Sequence, residues 1–263
     1  MTNAAALREV RLERDGAIAT VSIDRPHARN SVTRETALEL HACVRTIADD
    51  DGVRVLVLRG VGHDFCCGAD LKSSGNDARP GPRGPEMAIH AISALLHEMR
   101  PVTVAAIRGG CAGAGFGWAC ACDLRVAADD ARFNTAFLDV GVAGDMAVPW
   151  SLPRLVGASR ARDLSFLPRK MLAGEARDMG LLARVWPDAT FEAELLTLVG
   201  RLAAAAPLAL GVLKSNYLAA ERMDLQSFIA LEAQQHSRLL DSDDCREAFA
   251  ARNEKRPPRF SGR

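Results

Sequence analysis

Two short stretches carry most of the chemistry this sequence can offer. Gly109-Gly110-Cys111-Ala112-Gly113-Ala114-Gly115-Phe116-Gly117 follows an apolar run at 102–107 that reads as a strand, and leads into a small apolar segment, 118–122, that reads as a helix. Glycine at such a junction lets bare backbone approach a ligand closely. The free N–H groups and the dipole of the new helix favour negative charge in front of them. Upstream, Phe65-Cys66-Cys67-Gly68-Ala69-Asp70-Leu71 ends a second buried strand, 53–59, and offers another N–H beside small residues. Two strand ends, each with an exposed N–H, are the parts of an oxyanion hole.

The elements that must hold these stretches are legible in the hydrophobic pattern. Residues 10–12 and 17–23 read as strands around the turn Arg14-Asp15-Gly16. Thr33 is placed to cap a helix whose apolar face carries Ala37, Leu38, Leu40, Ala42 and Val44, and the run of three aspartates before Gly52 ends it. Residues 73–85, rich in Gly, Pro, Ser and charge, read as a loop. Helical spacing returns over 86–99 and stops at Pro101. A strand at 124–127 follows the glycine stretch, and from Pro149 onward the pattern is mostly helical. Strand–helix alternation followed by helices predicts an α/β core over 1–200 and a helical region over 201–263.

Composition narrows the function classes. The 263 residues are 48% hydrophobic and 25% charged, ordinary values for a globular protein. With 33 basic and 33 acidic residues the net charge is zero, which argues against nucleic acid or an anionic membrane as partner. No apolar run reaches the length of a membrane span and no hydrophobic signal core opens the chain, so a cytoplasmic location is expected. The cysteines number seven and none has C-x-x-C spacing, which fits reduced thiols buried in a core and no metal. A dinucleotide fingerprint is excluded as well: the spacing Gly113-x-Gly115-x-Gly117 is not G-x-G-x-x-G, and Asp123 comes too soon to serve a ribose.

Together with Asp24-Arg25-Pro26…Asn30-Ser31, Asp139 to Asp145, Leu152-Pro153-Arg154-Leu155-Val156-Gly157 and Glu254-Lys255-Arg256-Pro257, the two stretches resemble, in order, the motifs of the crotonase (enoyl-CoA hydratase/isomerase) superfamily. The resemblance spans nearly the whole chain. It implies a spiral of repeated ββα units with a C-terminal α-helical trimerisation region, assembled as a homotrimer or a dimer of trimers. It also implies an acyl-CoA thioester as substrate, with coenzyme A part of that substrate and no separate cofactor. The oxyanion-hole donors would be the backbone N–H groups of Ala69 and Ala114, and charge that develops on the thioester oxygen only in the transition state is what such donors stabilise. The coenzyme would meet Arg25, Arg29, Ala69, Leu71, Lys72 and Lys255.

The acid–base residues depart from the hydratases of that superfamily. Those enzymes use two glutamates to place a water, and the matching positions here are Gly117 and Phe137. Neither residue takes a proton. The segment from Asp139 to Asp145 instead resembles that of dienoyl-CoA isomerases, whose last aspartate shuttles a proton. Trp118, Phe137, Val142, Met146 and Trp150 would surround Asp145 with apolar surface, and burial raises a carboxylate's pKa and makes it a better base. A helix cap is the alternative role for Asp145. Glu86, His90 and His97 lie on the helix that would border the acyl pocket, as solvent-facing groups or with His90 or Glu86 a second proton carrier. Double-bond isomerisation of an enoyl-CoA with Asp145 as the single base is the expected activity, within fatty acid metabolism. An atypical enoyl-CoA hydratase (a lyase) and a non-catalytic acyl-CoA-binding protein are the alternatives.

Overall fold

The computed structural model describes residues 8–74 and 86–263. Of the loop expected at 73–85, residues 75–85 lie outside the described residues, while Ser73 and Ser74 close a helical turn. In chain order the elements are β1 (Val10–Asp15), β2 (Ile18–Ile23), α1 (Arg34–Ala48), β3 (Val55–Gly60), α2 (Leu71–Ser74), α3 (Met87–Glu98), β4 (Val102–Ile107), β5 (Gly110–Ala112), α4 (Ala114–Ala121), β6 (Leu124–Ala128), β7 (Arg132–Asn134), α5 (Val148–Val156), α6 (Ala158–Phe166), β8 (Met171–Leu172), α7 (Ala173–Asp178), β9 (Arg184–Trp186), α8 (Phe191–Ala203), α9 (Pro207–Ala220), α10 (Leu225–Leu240) and α11 (Asp243–Asn253).

Six strands form one sheet in the order β1-β2-β3-β4-β6-β9, parallel except where β1 runs against β2. A small sheet, β5-β7-β8, lies apart from it. The repeating unit is a strand of the large sheet, a short strand of the small sheet and a helix: β4-β5-α4, then β6-β7-α5. After β3 the isolated bridge between Cys66 and Cys111 stands where the short strand would be.

β3 and β4 are apolar almost throughout because both sheet faces are covered. Leu56, Leu58, Ala105 and Ile107 join the core shared with α1, α3 and α4, while Val55, Val57, Val104 and Ala106 pack with Phe191, Leu195 and Val199 of α8. The alternation follows from the two-residue period of a strand. Thr33 caps α1 as its spacing predicts: its hydroxyl accepts the Thr36 N–H at 3.1 Å and the Thr36 hydroxyl accepts the Thr33 N–H at 3.3 Å. Leu40, Val44 and Ile47 form the buried stripe of α1, whereas Ala42 faces outward.

The last three helices cover the residues expected to be helical after the core. α9 is held by a buried cation: Lys214 Nζ donates to Asp123 Oδ2 at 2.7 Å and to the Pro101 carbonyl at 2.9 Å, and the same carboxylate oxygen accepts the Thr103 N–H at 2.7 Å. No residue of α10 is buried, and Leu225, Ile229 and Leu240 stay open on it. Among the described residues no single helix is long and apolar enough to cross a membrane.

Removing the cation beneath α9 leaves a carboxylate without its charged partner. Lys214→Met is expected to lower the unfolding free energy by about 1.5–3 kcal/mol, read as a lower urea midpoint at an unchanged m-value.

Candidate functional site

β3 and β4 run parallel in register, so they deliver the chain to the same edge of the sheet. The segments that leave them stay paired. Phe65 N–H donates to the Arg108 carbonyl at 2.9 Å, Cys66 N–H to that of Gly110 at 3.0 Å, and Ala112 N–H returns to that of Cys66 at 2.9 Å. This pairing sets Gly68 against Gly113. Both have positive φ (+93° and +53°), and a Cβ on Gly113 would lie 3.3 Å from the Gly68 Cα. Any side chain at either position would push the two peptides apart.

Ala69 and Ala114 each follow one of these glycines, so the structure brings the two expected donor positions together. Ala114 is the first residue of α4, where an N–H has no partner within its own helix. Ala69 bridges to Val32 in parallel fashion, with Val32 N–H donating to Gly68 and Asp70 N–H donating to Val32. In that pattern the N–H of Ala69 itself faces away from Val32. Neither alanine N–H donates to a backbone carbonyl among the described residues. All eight residues of α4 are buried, which fixes the helix that carries one donor.

Asp145 lies in a turn made largely of left-handed residues: Gly144 (φ +104°), Met146 (+45°) and Ala147 (+61°). α5 begins at Val148, and its N-cap, Ala147, makes no side-chain cap. Asp145 contributes only its backbone carbonyl there, accepting the Val148 N–H at 3.0 Å. The capping role open to it from sequence is therefore not what its side chain does. Its Oδ1 is buried with no hydrogen-bond partner. Burial raises the carboxyl pKa above the ordinary aspartate value, and the nearby imidazole of His90 offsets this in part.

The neighbours of Asp145 tie it to the donor end of α4. Met146 packs on Gly117, one turn after Ala114, so closely that a Cβ on Gly117 would lie 2.5 Å from the Met146 Cβ. A Cβ on Gly144 would lie 3.6 Å from the Phe137 ring. Gly117 and Phe137 thus flank the turn that carries Asp145, and they bring it no second carboxylate. Val142 joins the same corner through its N–H to the Phe137 carbonyl at 3.0 Å, but its side chain is exposed.

One of the expected pocket walls sits elsewhere. Trp118 is 0% exposed and belongs to the core rather than facing an open cavity. Trp150 has its ring edge-on to His97 at 5.0 Å and under the Arg154 guanidinium at 3.9 Å. It lines a cavity of about 280 Å³ with His90, Ser93 and Ala147, and a largely apolar one of about 390 Å³ with Leu213 and Tyr217 of α9.

The expected coenzyme contacts also divide. Arg25 is an internal cation: its side chain is 8% exposed and pairs with Glu9 at 2.8 Å and Asp70 at 3.1 Å, so its guanidinium is not open to a phosphate. Arg29 is exposed, with both guanidinium contacts to Asp64 at 2.9 Å, beside Gly110. Leu71 and Lys72 are exposed on α2, directly after Ala69. Lys255 is exposed after α11 and shares no described hydrogen bond or ion pair with that group. Cys66, Cys120 and Cys122 are core thiols whose pKa values burial pushes up to about 12. Among the described residues no cluster of His, Cys, Asp or Glu is placed to hold a metal ion. Sequence reasoning passed over Ser93, whose hydroxyl donates to the Met146 carbonyl at 2.9 Å. The available signal was a lone serine three residues after His90 on an otherwise apolar helix.

Comparison with known proteins agrees with this geometry. A family model described as enoyl-CoA hydratase/isomerase matches residues 13–263. The chain is 31% identical over 254 residues to the 1,2-epoxyphenylacetyl-CoA isomerase of Escherichia coli K12, covering 94% of this chain and 95% of that protein. It is 28% identical over 268 residues to the peroxisomal Delta(3,5)-Delta(2,4)-dienoyl-CoA isomerase of Arabidopsis thaliana, covering 97% and 96%. Among solved structures, an enoyl-CoA hydratase from Bacillus anthracis superposes with a TM-score of 0.88 at 26% identity, over 97% of this chain and all of that one.

The raised pKa of Asp145 has a consequence for stability. Folding favours its protonated form, so the stabilisation is complete below the unfolded value of about 3.9 and is lost as pH rises through the folded value. Asp145→Asn, always neutral, should therefore melt higher than the parent at neutral pH. That advantage should shrink as the pH is lowered toward about 4. Thermal melts of both proteins across this range check it, and a difference independent of pH would contradict the assignment.

Proposed function

The chain belongs to the enoyl-CoA hydratase/isomerase family, and we propose that within it the protein isomerises the double bond of an enoyl-CoA with Asp145 as its single base. One observation carries the reading: Asp145 is half-buried, with its carboxylate Oδ1 buried and without a hydrogen-bond partner, beside the donor end of α4, where Gly117 and Phe137 supply no second carboxylate. Two-carboxylate hydration needs both an acid and a base to position water. Proton transfer from one carbon to another needs one group that takes a proton and gives it back.

In this mechanism the thioester oxygen sits between the N–H groups of Ala69 and Ala114, clear of side chains because both residues are small. Asp145 removes a proton from the carbon next to the thioester of a 3-enoyl-CoA. Electrons move onto the thioester oxygen, giving a dienolate that the two donors stabilise. The protonated Asp145 then delivers the proton to the far carbon of the former double bond, leaving a 2-enoyl-CoA and a regenerated carboxylate. No water enters and nothing leaves. The raised pKa suits both halves of this cycle, because base strength and return of the proton are balanced when the pKa lies nearer the working pH. Arg29 and Lys72, exposed beside Ala69, are the cations for the coenzyme phosphates. The open apolar face of α10 would serve self-association as a homotrimer or a dimer of trimers.

Incubation of a 3-enoyl-CoA in deuterated water, followed by mass spectrometry, should yield the 2-enoyl isomer without the mass gain of a water. A gain of one water would replace this reading with an atypical hydratase, and no turnover despite saturable binding would favour a binding protein. Asp145→Asn should lower kcat by about 10²–10⁴-fold with the affinity for a CoA ester unchanged. Ala114→Pro removes one donor at the first helical position, where proline is tolerated. It should lower kcat by about 10²–10³-fold with little change in melting temperature.

A further inference from the structure

α3 turns three residues of one face toward the stretch from Asp145 to Trp150, and two of them make direct contacts with it. The imidazole of His90 acts on Asp145 electrostatically. Ser93 donates its hydroxyl to the Met146 carbonyl at 2.9 Å. The His97 ring meets the edge of Trp150 at 5.0 Å, and its Nε2 lies 3.1 Å from Glu221 Oε2 of α9. Positions 90, 93 and 97 are spaced as neighbours along one side of a helix, so the contacts form a ladder parallel to the α3 axis.

The middle rung differs from the others in kind. Ser93 is 3% exposed, and its hydrogen bond is directional and buried. The carbonyl it holds belongs to Met146, which has φ +45° and is followed by Ala147 at +61°. The left-handed region is disfavoured for residues with a Cβ, and consecutive residues stay there only where the surroundings over-determine them. Two constraints act on Met146: its side chain is wedged on Gly117, and its carbonyl is fixed by Ser93. α3 and α4 thus grip one residue from two sides, and the residue before it is Asp145.

We infer that Ser93 is the positioning residue of the acid–base carboxylate: by holding the Met146 carbonyl it fixes where Asp145 points and keeps its carboxylate from turning out to water. The inference rests on Asp145 acting as the base. Ser93 touches no reacting atom. Without its hydroxyl the turn from Gly144 to Ala147 is free to leave the left-handed region, Met146 lifts from Gly117, and Asp145 gains solvent. His90 remains the titratable group that acts on Asp145 from α3, while α4 and the segment after Thr135 present Gly117 and Phe137, which do not titrate.

The test is a carbon-13 NMR titration of the Asp145 carboxyl, its resonance identified by its loss in Asp145→Asn, run beside kcat and KM as functions of pH. In Ser93→Ala, kcat should fall on the order of 10- to 100-fold with KM unchanged. The Asp145 titration and the acid limb of kcat should move down together, toward the ordinary aspartate value. Ser93→Cys keeps the size but donates weakly, so it should fall between the two. A Ser93→Ala protein that melts lower yet keeps the kcat, the acid limb and the Asp145 titration of the parent overturns the inference. If Ser93→Ala does not fold, a folded Ser93→Cys protein with parental values overturns it equally. Turnover retained by Asp145→Asn would remove the base reading alone, and the NMR titration would still decide whether Ser93 places the carboxylate.

Discussion

The contact between Gly68 and Gly113 is the constraint on which the rest of the site depends. Two parallel strands end side by side, and the chain after each is stitched to the other by backbone hydrogen bonds through Cys66 and Gly110. That stitching drives two peptides together so closely that a Cβ on either would force its neighbour to shift, and the positive φ of both residues strains any side chain there. The N–H groups one residue later then emerge together, one at the first turn of α4 and one at the bridge to Val32. Because α4 is buried along its whole length, its dipole and its free donors cannot drift from this point. Preorganised donors of this kind need no rearrangement when charge develops.

A second close approach builds on the first. Gly117 lies one turn into the same helix, and the space a side chain would take there is filled by Met146. The space beside Gly117 is thus occupied from the other side. The Met146–Ala147 turn runs through left-handed backbone, and the neighbouring Asp145 has its Oδ1 buried without a hydrogen-bond partner. Both features oppose stability, and the hydrogen bond from Ser93 together with the packing on α4 is what sustains them. Destabilising elements of this kind concentrate where chemistry is done.

Much of this was legible in the residues themselves. The Thr33 cap, the apolar periodicity of α1 and α3, and the glycine stretches at the ends of β3 and β4 follow from local rules of spacing and conformation, and the structure has them. What escaped was set by contacts between distant segments. Arg25 was expected at the coenzyme because its segment resembles one that contacts it in the superfamily, but Glu9 and Asp70 reach it from distant positions in the chain and bury it. Trp118 looked like a pocket wall because it follows the glycines, yet every face of α4 is covered. Trp150 shares a short segment with Asp145, but its ring stands edge-on to His97 of α3 and lies between two cavities, one of which α9 helps to line. Ser93 gave no signal beyond being a polar residue in an apolar helix, since its partner is a carbonyl, and carbonyls are invisible in sequence.

The apolar bracket around Asp145 also bears on why the chemistry should stop at proton transfer. A water that is to add to a double bond must be oriented by acceptors and activated by a base, and here Gly117 and Phe137 add no carboxylate to Asp145, whose Oδ1 lacks a partner. Phe137 and Met146 offer a water nothing to bond to, so a water at this site would lose hydrogen bonds on entering. A carbon-bound proton has no such requirement. It needs contact with a base that is strong because it is poorly solvated, and an oxygen held elsewhere by donors that do not move. Under the proposed isomerisation, burial that penalises a charged carboxylate in the resting protein is the same feature that would strengthen it toward a carbon acid, and Gly117 and Phe137 would give water no second carboxylate with which to compete for the intermediate.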